Sequence, residues 1–460
     1  MDVYIELREY NMQILLIEPR LEHGIVTYKQ RFSPFSRIYG NPSLTLPMVA
    51  AVTPPGYEIK IVNENYEKID FSKKYDIVGI SVLTINAFRS YELADYFKKN
   101  GSKVILGGYH TSALPNEALE HADAVVVGEA EIVWPQIIKD LEKGKLKKIY
   151  LSSEKPDLQE IPRPRRDLYV NFFSGAVQAT RGCPVGCEFC PTTKLLGKIL
   201  RRRPIEDVID EIKSIPNKVI LFRDASLTTN PAYSKSLFKA MKKLDKKWIA
   251  NANLNVLGRD EEFLKLAREA GCLQVFVGFE SISEETLRNI HKMSNVNIDE
   301  KYGEYVRKIQ KQGIAVSGGM IFGFDEDTVD VFDNSYKAME EWQADAIELN
   351  ILTPYPGTGI YDRFEKEGRI LTKDWSKYSQ AHVVYQPKKM TVDELKEGFR
   401  WITKKHYSWI EILRRSLHYL GYAGALEKSP SLLSIPTINL ALRSYYRRED
   451  KRIKREQSIR

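Results

Sequence analysis

Two long stretches of this 460-residue chain alternate short apolar runs with helical patterns, and that alternation narrows its folds more than any other feature. In the first third the runs are QILLIEP, IKIVNEN, DIVGISVL, KVILGG and AVVVGE, separated by segments such as FRSYELADYFKKNG. Short runs rich in Ile and Val suit buried parallel strands joined by crossover helices. Residues 1–150 are therefore predicted to form a doubly wound α/β domain. Residues 151–170 are rich in proline and charge and read as a linker. A second alternation fills 171–375, with strands expected at GAVQAT, KVILFRDA, WIANANLN, QVFVGFES, AVSGGMIFG and DAIELNILTP. Six β/α units predict a partial (β/α)6 barrel, whose chemistry belongs at the C-terminal ends of its strands. The segment IEDVIDEIKSI predicts a helix with Pro204 at its first position and a packing stripe of Ile205, Val208, Ile209 and Ile212. Residues 376–460 read as a helical domain. Its aromatics Trp401, Tyr407, Trp409 and Tyr419, with Ile410, Leu413 and Leu417, are expected in core or domain contacts.

Length and composition agree with several cores. The chain is too long for one, and 43% apolar residues with 11% aromatic is ample for packing. No apolar run reaches the roughly 18 residues of a membrane-spanning helix. The N-terminal residues lack the basic-then-apolar layout of a signal peptide. Four cysteines without even spacing argue against a disulfide scaffold, so a reducing, cytoplasmic setting is expected. The net charge of +8 is concentrated in the last residues: Leu440 to Arg460 hold eight Lys or Arg and three Asp or Glu, a surplus of 8 − 3 = 5. A basic tail is either a solvated end or a contact for an anionic surface such as a membrane, giving peripheral attachment.

Three of the four cysteines crowd into TRGCPVGCEFCPTTK, at C-x3-C-x2-C (Cys183, Cys187, Cys190). A structural zinc site wants four ligands, usually as two separated pairs, and no histidine lies within 50 residues on either side. Iron–sulfur clusters take four thiolates as a rule. Three leave one iron open, as a catalytic metal site keeps a position for its substrate. The fourth cysteine, Cys272, reads as a small buried hydrophobe.

This motif, with Phe189 before its last cysteine and directly after the first barrel strand, resembles the radical S-adenosylmethionine (SAM) superfamily. The resemblance implies that Cys183, Cys187 and Cys190 hold a 4Fe–4S cluster whose open iron takes SAM. It further implies that one-electron cleavage gives a 5′-deoxyadenosyl radical able to abstract hydrogen from an unactivated carbon. A one-electron reductant of the ferredoxin or flavodoxin type is then the expected partner. Later residues carry the likeness on: Asp224 at the end of strand two, Asn253 after strand three, Glu280 at the end of strand four. Gly319, Ile321, Gly323 and Glu326 fit a G-x-I-x-G-x-x-E pattern on strand five. Together with Phe189 these are the expected SAM contacts.

The first domain resembles cobalamin-binding domains of the flavodoxin-like type. Ser81 and Leu83 (S-x-L), the pair Gly107-Gly108 with His110 behind it, and Gly128-Glu129 are the expected cobalamin contacts, His110 at the corrin periphery. A D-x-H-x-x-G motif for the lower cobalt ligand is missing, and His23 lies near its place but out of register. Further segments, among them TPYPGTGIYDRFEKEGRI, look like the group containing hopanoid C-2 methylases and archaeal tetraether-lipid ring synthases. The resemblance implies cobalamin-dependent methylation of an unactivated carbon, of a lipid first. The alternatives are radical C–C coupling or ring formation without methyl transfer, and a peptide or natural-product C-methylase. No nucleic-acid partner is expected, because no cysteine precedes Cys183 to hold the second cluster of a transfer-RNA methylthiotransferase.

Overall fold

A computed structural model of the chain describes residues 12–21, 23, 40, 42–423 and 434–458. They fall into two compact units, one ending at Phe172, the other made of His23 and residues from Phe173 onward.

The first unit is a parallel six-stranded sheet in the order β2-β1-β3-β4-β5-β6. Its strands are β1 (Gln13–Glu18), β2 (Glu58–Asn63), β3 (Ile77–Ser81), β4 (Lys103–Gly107), β5 (Ala124–Val127) and β6 (Ile149–Leu151). The first five coincide with the apolar runs. The three-residue β6 follows two lysines at the sheet edge and is too short to show a pattern. Ile14, Leu16, Ile77 and Ile105 are buried in one core with Trp134 and Ile137 of the helix Ala130–Glu142. Strand order reverses around β1, and ligands of such sheets bind at the C-terminal strand ends near that point. The segment expected as a linker does more than tether. Its Tyr169, and Phe172 just beyond, lie in the same core, and the Tyr169 hydroxyl meets Glu18 and Asn63.

The second unit holds a parallel sheet in the order β14-β13-β12-β11-β10-β7. Its strands are β7 (Ser174–Val177), β10 (Val219–Phe222), β11 (Lys247–Ala252), β12 (Cys272–Glu280), β13 (Ala315–Phe322) and β14 (Ala346–Ile351). Two-residue strands β8 (Thr180–Arg181) and β9 (Arg201–Arg202) pair antiparallel beside it. Six strands in one open sheet make the partial barrel. The helix Ile205–Ser214 buries Val208, Ile209 and Ile212 as its periodicity requires, with Pro204 as N-cap, one place earlier than expected. The helical stretch after 376 belongs to this same unit rather than to a domain of its own. It closes the open edge of β14. The Tyr407 hydroxyl donates to Ile347 O, and Tyr446 both accepts from Leu349 N and donates to Leu349 O.

Candidate functional site

The cysteine loop leaves the barrel directly after β7. Its entry is fixed by Asp224, which follows β10 and accepts from Ala179 N at 3.2 Å, from Thr180 N, and from Thr180 Oγ1 at 2.7 Å. Burial pushes the Asp224 carboxyl up to about 6 against these donors. Both of its oxygens are engaged. Asp224 thus holds the backbone that leads into the loop.

Gly182 turns the chain with φ 94°, and a Cβ there would meet Ile199 O at 2.1 Å, so no side chain fits. Cys183 N then donates to Gly197 O at 3.0 Å and Cys190 N to Cys187 O at 3.0 Å. Glu188, between the second and third cysteines, is gripped by Arg363 at 3.0 and 3.1 Å. Arg363 also pairs with Asp325, and Asp325 with Arg369. The loop is thus fastened to the helix Gly359–Lys366 and to the turn after β13. All three thiols are free and half-buried. Burial pushes Cys187 up to about 12, and Lys292 opposes that shift. Phe189 lies with its ring 6.3 Å from Phe324.

Glu280 ends β12 in the left-handed region, φ 64°, where a non-glycine residue is strained. The β12–β13 register shifts between Gly278 and Glu280. Lys292 Nζ stands 2.9 Å from Glu280 Oε1. Burial works against the lysine charge, but Glu280 and the Cys187 thiol outweigh it and hold the ammonium well above its usual range. Gly278 makes the room, since a Cβ there would lie 2.0 Å from Glu280 Oε1. Neither Lys292 nor Gly278 is signalled in the sequence. NIHKMSN reads as a helix end, and only the fold carries it back to the cysteines.

Of the other expected residues, a Cβ on Gly319 would touch the Phe276 ring at 3.5 Å, Ile321 is half-buried, and Gly323 has φ 98°. Asp327, not anticipated, accepts from Gly323 N at 2.8 Å and Phe324 N at 3.0 Å. Asn253 N bonds Thr228 Oγ1 at 2.7 Å. Glu326 takes Asn289 Nδ2 on the surface. Asp224, Asn253, Glu280 and Gly323 all follow the C-terminal ends of β10 to β13, so topology gathers them at one end of the sheet. Cys272 is fully buried, with its thiol pushed up by burial.

In the first unit the S-x-L and Gly-Gly segments are stitched together: Val82 N donates to Gly107 O at 2.8 Å and His110 N to Val82 O at 3.1 Å. Gly108 has φ 102°, and a Cβ would press to 2.7 Å from Val82 O. Ser81 and Leu83 flank this edge, Leu83 being exposed. Gly128 N donates to Ser112 Oγ at 3.0 Å, and Glu129 is buried with Lys155 at 3.5 Å. His110 does not reach the surface. It is fully buried between Thr84 and Glu117, at 3.3 and 3.2 Å. His23 is counted with the second unit and pairs with Glu449.

The radical SAM superfamily model matches residues 177–339 and the B12 binding domain model residues 41–138. The chain is 32% identical over 388 residues to the bacteriochlorophyllide d C-12(1)-methyltransferase of Chlorobaculum tepidum, covering 81% of this chain and 84% of that one. It is 26% identical over 389 residues to the hopanoid C-2 methylase of Rhodopseudomonas palustris, covering 80% and 73%. Among solved structures, the radical SAM methyltransferase TsrM from Kitasatospora setae, with cobalamin and a 4Fe–4S cluster bound, matches with a TM-score of 0.66 at 14% identity. That match covers 95% of this chain and 99% of TsrM and speaks for the fold. The chain belongs to the cobalamin-dependent radical SAM methylases, enzymes that use a 4Fe–4S cluster, SAM and cobalamin.

The donor chemistry fits those groups. Three uncommitted thiols on one pinned loop suit a cluster with an open iron, and Gly108 and Gly128, both at positive φ, turn the chain beyond β4 and β5, at the strand ends where such a sheet binds its ligand. When bound, these groups supply hydrogen abstraction and methyl transfer. The chain's own residues fix the cysteine loop through Asp224 and Arg363, and Lys292 favours the thiolate of Cys187.

Proposed function

We propose that the substrate is a large apolar molecule methylated at an unactivated carbon, an isoprenoid or polycyclic lipid first. The observation that carries this reading is the exposed apolar and basic face of the last two helices. On the helix Trp409–Ala423 four residues expected in core or domain contacts are instead at the surface: Trp409 is 62% exposed, Ile410 77%, and Leu413 and Leu417 61% each. Beside them Trp409, Leu440, Arg443, Ser444, Arg447, Arg448 and Lys451 line a groove of about 390 Å³. Such a face suits the surface of an anionic bilayer, from which an apolar substrate is drawn. Among the described residues no helix is long and apolar enough to cross a membrane.

A second reading, an alkyl carbon of a tetrapyrrole, is favoured by the 32% identity to the bacteriochlorophyllide d methyltransferase. We further propose Cys183, Cys187 and Cys190 as cluster ligands, Glu280 with Phe189, Asn253, Gly319, Ile321 and Gly323 at the SAM site, and Ser81, Leu83, Gly107, Gly108, Gly128 and Glu129 along the cobalamin edge.

The test supplies reduced, fully reconstituted enzyme with SAM carrying a deuterated methyl group, together with lipid and tetrapyrrole extracts. Mass-labelled lipid supports the lead reading. Labelled tetrapyrrole favours the second. Deoxyadenosine with a new C–C bond and no methyl label overturns both.

A further inference from the structure

Away from the cysteines, the second unit gathers two imidazoles and a carboxylate. His23, His382 and Glu449 come from three separate parts of the chain: a short piece after β1, the connection between the helices Gly359–Lys366 and Val392–His406, and the helix Ser434–Ser458. Each is at most 8% exposed. One ligating atom from each lies within 4.8 Å of the other two. His23 Nδ1 is 2.7 Å from Glu449 Oε2, and the two imidazole rings meet edge to face at 5.2 Å. Ser379 Oγ sits 2.8 Å from His382 Nδ1. A hydroxyl accepting there fixes the tautomer and makes Nε2 the nitrogen that His382 would present to an ion, the usual arrangement behind a metal-bound histidine. Burial pushes the Glu449 carboxyl up, but His23 and His382 outweigh it and keep the group below its ordinary range.

A histidine–carboxylate hydrogen bond needs one imidazole. A second imidazole within 4.8 Å of the same carboxylate, oriented from behind by a hydroxyl, is what a cation site needs. The donor set has no thiolate, and two imidazoles with one carboxylate suit zinc or a neighbouring divalent transition ion. The geometry points to a divalent-metal site of the zinc class at His23, His382 and Glu449, built from none of the residues proposed for the iron–sulfur cluster or cobalamin. Its ion fastens the segment at residue 23 and the 379–382 loop to the C-terminal helix.

The test uses full-length enzyme already loaded with its cluster and cobalamin, so that the cysteines cannot take up the probe. The protein is incubated anaerobically with zinc, desalted, and its zinc, iron and cobalt are measured by mass spectrometry. About one tightly held zinc per chain is expected, with a rise in melting temperature of several degrees that a chelator reverses. His382→Gln is expected to lose the zinc with iron and cobalt unchanged. Ser379→Ala, a milder change, is expected to weaken zinc affinity about 10-fold or more. Wild-type enzyme that holds no zinc, or His382→Gln that holds as much as wild type, overturns the site.

Discussion

At the scale of single residues, the site is an electrostatic compromise. Burial raises the Cys187 thiol to about 12, and Lys292 pulls it down. Lys292→Met removes that help, so cluster assembly is expected to slow several-fold at pH 7 and to recover as pH rises toward 9. Iron uptake followed by absorbance across that range checks it, and an unchanged rate removes Lys292 from the thiol's surroundings. Asp327 offers a second test. Burial outweighs the two amides it accepts from and lifts it to about 7 from 3.8. A carboxyl whose folded pKa is raised costs stability as pH climbs from the unfolded value to the folded one. Asp327→Asn keeps an acceptor for Gly323 and Phe324 and does not titrate. Relative to wild type it should gain on the order of 2 kcal/mol between pH 5 and pH 8. Denaturant melts at the two pH values decide. The cysteine motif was legible because its chemistry is local. Lys292, Gly278 and Asp327 were not, because each matters only through a neighbour brought in by the fold. His110 and Asp224 stand just after strand ends, as their place in the sequence has it, and their burial is set by the fold.

Elements show how the loop is held. Arg363 reaches Glu188 from a helix 175 residues later in the chain. Arg363→Ala should leave the fold standing, at a cost of about 1 kcal/mol for partly exposed pairs, while letting the cysteine loop move. The expected result is faster iron loss on desalting with a nearly unchanged melt. Equal iron retention would mean that Glu188 is held well enough by its backbone bonds to Ile290 and Ile360. Strands were readable from their buried faces. The edge strand β6 was not, and the cap on β14 depends on tyrosines more than fifty residues downstream.

For the whole molecule, the basic C-terminus is no solvated end. Leu442 and Tyr446 of the helix Ser434–Ser458 are buried, and Tyr446 bonds the edge of β14. Deletion after Leu440 should therefore lower the melting temperature sharply instead of only weakening membrane contact. Charge reversal at Arg447 and Lys451, with Trp409→Ala, keeps the core. It should lower sedimentation with anionic vesicles about 10-fold or more in 100 mM salt while leaving the melt in place. Undiminished sedimentation would end the bilayer reading of that face.

By itself the sequence determined two parallel α/β sheets, an open iron–sulfur motif and glycine-edged loops, since period, turn chemistry and ligand spacing are local properties of a chain. Only the tertiary structure decided that Lys292 stands by Cys187, that Asp224 serves backbone amides, and that His23, His382 and Glu449 share one buried place. Those relations join residues distant in sequence, and burial and pairing are set by what packs against them.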